Sequence, residues 1–157
     1  MKDTIHKVLS MINGLFIVLK YAFKQPITVR YPEVKRQTSS RFRGLHYLTK
    51  WDDGLERCVG CELCAIICPA QAIYVKPAQN DPDHPHSHGE RYASDFQINM
   101  IRCIYCGYCE EACPTGAIVL SNEYELSTYT REEMIWTKDM LTEKYPGESG
   151  RDPKREI

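Results

Sequence analysis

Residues 57–69 read RCVGCELCAIICP, and residues 102–114 read RCIYCGYCEEACP. All eight cysteines of the chain lie in these two stretches: Cys58, Cys61, Cys64 and Cys68 in the first, Cys103, Cys106, Cys109 and Cys113 in the second. Each run has the spacing C-x2-C-x2-C-x3-C-P, which holds 4Fe–4S clusters in pairs. A cubane presents four iron corners, each taking one thiolate. Cysteines at i, i+3 and i+6 on a tight loop curl around one cube and fill three corners. The fourth cysteine stands four residues further on, one helical turn or about 6 Å along the axis. It points away from its own loop and reaches the other cube. The predicted ligand sets are therefore Cys58, Cys61, Cys64 and Cys113 for one cluster, and Cys103, Cys106, Cys109 and Cys68 for the other. This crossing sets the clusters at opposite ends of two short helices, on the order of 10 Å apart by the same helical rise. Electrons hop such a distance. Pro69 and Pro114 end the two helices.

Other uses of cysteine fit less well. A zinc site pairs two C-x2-C units around one ion rather than running four cysteines together. A disulfide framework suits a small secreted chain, which this sequence does not resemble. Two full copies leave no cysteine over. The span from Cys58 to Leu120 buries only a small apolar core by itself, so the clusters are expected to staple it, and loss of iron to unfold it.

The two runs belong to a longer repeat. Residues 57–75 align with residues 102–120 at an offset of 45, matching Arg57 with Arg102, Pro69 with Pro114, Ala72 with Ala117 and Ile73 with Ile118. Each copy reads as loop, one-turn helix and short strand, the strands over 72–76 and 117–120. The copies are expected to pack about a pseudo-twofold axis, with Val59, Ile66, Ile67, Ile73, Ile104 and Ile118 around the clusters. Between them, the turn-rich residues 77–89 precede an alternation of Tyr92, Phe96, Ile98 and Met100, which predicts a hairpin inserted over 77–99. His84, His86 and His88 give H-x-H-x-H there. Such tracts can bind metal, but a polar loop is the favoured reading.

The flanks are uneven in charge. The chain of 157 residues has a formal net charge of −1, yet residues 1–50 carry ten Lys or Arg against Asp3 and Glu33, and residues 51–157 carry ten against nineteen acidic residues. That asymmetry points to a membrane surface or protein partner for the basic part. The basic residues are scattered without a nucleic-acid motif, so no nucleic-acid partner is expected. Over residues 1–24, Ile5, Val8, Leu9, Ile12, Leu15, Phe16, Leu19, Ala22 and Phe23 recur at helical spacing. The uncharged stretch from Val8 to Leu19 is short for a bilayer crossing, which leaves an amphipathic helix docked on a membrane or a partner. Residues 25–50 read as an extended basic arm, and residues 51–121 as the two-cluster domain. Within residues 122–157, Thr130 and Glu133 form a capping box that predicts a helix over 131–143, followed by a loose tail.

With these parts together, the chain resembles the eight-iron, ferredoxin-like subunit of respiratory complex I, the proton-pumping NADH:quinone oxidoreductase (subunit I of the bacterial enzyme). The resemblance spans about residues 15–143. It rests on Tyr31-Pro32, Arg41-Phe42-Arg43-Gly44, Glu56-Arg57-Cys58, Gly89-Glu90-Arg91-Tyr92 and the run from Arg102 to Ile118. It implies an α+β fold, namely a bacterial-type two-cluster ferredoxin core with an amphipathic N-terminal helix, an extended arm and a C-terminal helical tail. It also implies an electron wire. Electrons arrive from flavin through a larger iron–sulfur subunit, cross the two clusters, and leave for a terminal cluster beside the quinone pocket. The helix and arm would seat the chain near the membrane arm, peripherally on the cytoplasmic side of the bacterial inner membrane. Arg41, Arg43 and His46 fall in the docking stretch by this resemblance. No catalytic constellation accompanies the clusters, and Glu110 and Glu111 read as an exposed helix face. The competing functions are a related subunit of a membrane hydrogenase or another donor-fed complex, a soluble ferredoxin, and a zinc-binding interaction module.

Overall fold

A computed structural model describes residues 2–143. The chain forms two units, residues 1–37 and a second from Thr38 onward. The first contains α1, Lys2–Ala22, an uninterrupted helix of 21 residues that spans about 31 Å at 1.5 Å per residue. Lys20 in its last turn complements the negative end of the helix dipole. Its apolar side chains are exposed, Leu15 at 73% and Val18 at 71%. Thr4–Ala22 is long and apolar enough to cross a membrane by length and composition. The twelve-residue uncharged stretch therefore understated the helix: Lys7 and Lys20 lie within one continuous apolar rod.

The second unit has two antiparallel sheets over one core. Strand β1, His46–Leu48, pairs with β4, Ile118–Leu120. Strand β2, Ile73–Gln79, pairs with β3, Arg91–Asn99, and β3 pairs on its other edge with β5, Ile135–Thr137. Between strands lie the short helices α2, Leu63–Ile67, and α3, Tyr108–Glu111, which pack on each other. Tyr47 from β1, Phe96 and Ile98 from β3, Ile118 and Leu120 from β4, and Leu141 are all fully buried. Side chains of this size each contribute about 1.5–3 kcal/mol when removed from water.

Several expectations change. The arm over 25–50 is not free of the domain along its whole length: Leu45, His46, Tyr47, Leu48 and Thr49 are buried in the second unit, and three of them form β1. The signal was weak because a three-residue strand is too short to show alternation. The first copy's strand and the hairpin are one element, since β2 runs on past Lys76 to Gln79. Between β2 and β3 the register slips at Lys76 and Pro77, so that Lys76 faces Asp95 and Pro77 faces Ala93. Ser94 is left over in a bulge and its hydroxyl donates to the Lys76 carbonyl at 2.9 Å. The bulge flips the inward phase from Phe96, Ile98 and Met100 to Ala93, leaving Tyr92 half-buried off the core line.

The predicted helix over 131–143 is broken. Glu132–Met134 is a 3-10 turn without a side-chain cap, Ile135–Thr137 is strand β5, and only α4, Lys138–Glu143, is α-helical. The β-branched residues Ile135 and Thr137 flank Trp136, which is the buried member of the alternation. Tertiary pairing to β3 outweighs the capping-box pattern at Thr130. Leu141 of α4 joins the core. The expected loose tail from Tyr145 lies outside the described residues.

Candidate metal centre

The cysteine loops are shaped by residues in the left-handed backbone region. Gly60 and Glu62 adopt φ of 63° in the first run, and Gln71 follows at 48°. Tyr105, Gly107 and Gly116 adopt 53°, 84° and 61° at the matching positions of the second run. Each pair is separated by 45 residues. In each pair one member is glycine and the other bears a side chain, at a cost of about 1–2 kcal/mol for the latter. Such strain persists where surrounding structure over-determines it, commonly at functional sites. Here it turns backbone amides onto sulfur. The Tyr105 amide donates to Cys103 Sγ at 3.4 Å, and the Gly60 amide does the same for Cys58. Ala72 donates to Cys68 Sγ at 3.3 Å and Ala117 to Cys113 Sγ at 3.2 Å. Every one of these donors has its counterpart 45 residues away.

Two small cavities result, about 20 and 10 Å³. Cys58, Cys61, Cys64 and Cys113 line the first, with Val59, Val75, Phe96, Thr115 and Ile118. Cys68, Cys103, Cys106 and Cys109 line the second, with His46, Ala70, Ile73 and Ile104. The structure thus brings each loop's three cysteines together with the fourth cysteine of the other run. The walls are otherwise largely apolar, and the cysteines are not in disulfides.

Burial and crowding resist ionisation of these thiols. Desolvation is the larger cause and neighbouring cysteines add to it, pushing Cys58 up to about 11 and Cys64 and Cys109 up to about 12. Cys103 is raised for the same reasons. Groups of four thiolates in so dry a pocket need a cationic partner, and metal coordination supplies it by deprotonating thiols outright. The donor set therefore fits iron–sulfur clusters: four sulfurs around each of two cavities, with amide donors already aimed at them.

The remaining candidate residues separate clearly. Val75 and Phe96 line the first cavity, a role not apparent in the sequence because both lie on strands distant from the cysteine loop. Ile66 and Ile67 are exposed instead of enclosing a cluster, and Ile104 lines the second cavity with its outer side in solvent. His46 is not available for docking: it is 1% exposed, and its Nε2 lies 3.9 Å from Cys103 Sγ. Burial holds its pKa down at about 4. Arg41 and Arg43 are exposed, and Arg43 pairs with Glu111 at 3.4 Å. The hairpin histidines go separate ways. His86 stacks on Tyr92 at 4.3 Å, His88 pairs with Asp53 at 2.8 Å, and His84 is exposed. Among the described residues no three His, Cys, Asp or Glu side chains converge to hold a single metal ion.

Fold and site define a two-cluster 4Fe–4S electron-transfer protein. The family described as 4Fe-4S dicluster domain matches residues 57–123. The chain is 78% identical over its full length, and the full length of the relative, to "NADH-quinone oxidoreductase subunit I" of Protochlamydia amoebophila. It is 53% identical over 85% of its length, and 74% of the relative, to "NADH-quinone oxidoreductase subunit 9" of Thermus thermophilus. Among solved structures, it is similar to a chain in the membrane-bound sulfane sulfur reductase, an archaeal respiratory membrane complex. The TM-score there is 0.51 at 35% identity, covering 74% of this chain and 55% of that one. The chain belongs to the subunit I family of NADH-quinone oxidoreductases. It is an electron carrier with two 4Fe–4S clusters, and its membrane association follows from that family.

Proposed function

We propose that this chain relays electrons, one at a time, from the NADH- and flavin-side iron–sulfur subunits toward a terminal cluster and quinone. Cys58, Cys61, Cys64 and Cys113 hold one cluster, and Cys103, Cys106, Cys109 and Cys68 hold the other. The observation that carries this reading is the composition of the two cavities, three cysteines of one run and the last of the other in each. Bound clusters supply reversible one-electron redox chemistry. The chain's own residues hold the cubes, exclude water with Val75, Phe96, Ile73 and Ile118, and aim amides at the sulfurs. The two halves relate by a pseudo-twofold: each is strand, cysteine loop, one-turn helix and strand, with β1 on β4 and β3 on β2.

The partners follow from surfaces. The exposed apolar side chains of Leu63, Ile66 and Ile67 on α2, and Ile104 and Tyr108 beside the second cavity, suit burial against neighbouring subunits. Helix α1 seats the chain on the membrane or the membrane arm, and the cluster-bearing unit works on the cytoplasmic side. On this reading residues 1–24 dock and residues 51–121 conduct, while β5 and α4 brace the domain from residues 135–143. A second reading, a subunit of a membrane reductase with another electron donor, draws on the likeness to the sulfane sulfur reductase chain.

Purification of the complex from membranes tests both. The first reading expects this chain to copurify with NADH-oxidising and quinone-reducing subunits and to carry eight irons. Copurification with a different donor subunit favours the second. A chain recovered only as a free soluble carrier contradicts both.

A further inference from the structure

The two cavities share a backbone plan but differ in side chains. Val75 pairs with Phe96 across β2 and β3, while Leu120 pairs with His46 across β4 and β1. Residues 75 and 120 correspond at the 45-residue offset, so His46 stands in one half where Phe96 stands in the other. Both are about 1% exposed. Phe96 lines the cavity of Cys58, Cys61, Cys64 and Cys113, and His46 lines the cavity of Cys103. The His46 Nε2 lies 3.9 Å from Cys103 Sγ, within reach of a hydrogen bond to sulfur. Its Nδ1 is buried without a hydrogen-bond partner among the described residues. Tyr105, tilted against the ring at 5.5 Å between centroids, holds the imidazole in place. A buried polar ring with one nitrogen already orphaned loses more if the other is unpaired too.

We infer that His46 donates Nε2–H to Cys103 Sγ and thereby raises the reduction potential of the cluster held by Cys103, Cys106, Cys109 and Cys68. This rests on the two-cluster reading above. Each electron added increases negative charge on the cluster sulfurs, and a donor aimed at one of them favours the reduced form. Phe96 has no such donor to offer the first cluster. That cluster has a different neighbour, the Thr115 hydroxyl at 3.6 Å from Cys113 Sγ, where Ala70 stands in the second half. The two potentials are thus set by non-equivalent side chains, and His46 is a positioning residue for the second cluster only.

Redox titration of the assembled complex, followed by electron paramagnetic resonance, tests this with His46→Phe, His46→Leu and His46→Gln. Cys106→Ala and Cys61→Ala identify which signal belongs to which cavity. The two apolar variants are expected to lower the midpoint potential of the Cys106-dependent signal. The expected fall in the reduction equilibrium is roughly tenfold, about 59 mV for one electron. His46→Gln, which keeps an N–H donor, retains part of the difference, and the Cys61-dependent signal stays where it was. The inference is overturned if the apolar variants leave the potential unchanged, if Gln shifts it as far as Phe, or if the other signal moves. Should the parent protein itself lack two reducible clusters, the underlying two-cluster reading fails, and the inference falls with it.

Discussion

The two cysteine runs are alike in their loops and unlike in what surrounds them. Within the loops, left-handed residues recur in pairs, Gly60 with Tyr105, Glu62 with Gly107 and Gln71 with Gly116. Outside the loops, the first run feeds a seven-residue strand in a three-stranded sheet, and the second a three-residue strand in a two-stranded sheet. Backbone geometry repeats where sulfur must be placed, and diverges where only packing is required. The hairpin shows how far that divergence goes. Asn80 spans it, donating to the Ser87 carbonyl at 2.6 Å and the Gly89 carbonyl at 2.8 Å while accepting from the His86 amide. After the second run, Ser121 instead turns back onto the segment before β1, accepting from the Gly44 amide and donating its own amide to the Leu45 carbonyl.

The largest expected effect comes from removing iron. Because each cavity draws sulfur from both runs, the two halves are expected to unfold together, seen as loss of amide protection throughout residues 44–142 by hydrogen exchange. Persistence of one half in a protected state breaks the idea that they share their staples.

Glycine substitutions sharpen the comparison. A Cβ on Gly60 meets the Tyr92 carbonyl oxygen at 2.7 Å, and its φ is +63°. Gly60→Ala is expected to cost about 3 kcal/mol, since backbone cannot move aside easily. The nearest atoms to a Cβ on Gly107 are those of the Arg43 side chain, Nε at 2.8 Å. Arg43 can swing away, so Gly107→Ala is expected to cost about 1 kcal/mol, chiefly for its left-handed backbone. Denaturant midpoints of the cluster-loaded protein compare the two, and equal losses contradict the asymmetry. The smallest effect is expected from Arg43→Ala. Its ion pair with Glu111 is exposed, with side chains 47% and 66% accessible, so the change in midpoint corresponds to less than about 0.5 kcal/mol.

Much of the site was legible because eight cysteines at fixed spacing state a chemistry before any fold is known. The one-turn helices, the 45-residue repeat and the strand after the second run were legible for the same reason. Other parts depended on distant pairing. His46 reads as one more polar residue in a basic arm until β1 pairs with β4 and carries it beside Cys103. Ile135-Trp136-Thr137 follows a capping-box pattern, yet becomes a strand because β3 offers an edge. The Ser94 bulge changes the inward phase of β3, and its one local signal, Pro77, lies on the facing strand and is brought opposite only by the pairing. Lys138 shows the same limit: it bridges Glu56 at 2.7 Å and donates to the Ala93 carbonyl at 2.7 Å, joining segments that sequence order keeps far apart.

Exchange of the last cysteine between the halves is tested most directly by electron paramagnetic resonance of the reduced complex carrying Cys68→Ala. Crossed ligation predicts loss or conversion of the same signal that Cys106→Ala abolishes, with the Cys61-dependent signal retained. Loss of the Cys61-dependent signal alone would contradict it, because Cys68 would then serve the cluster of its own loop.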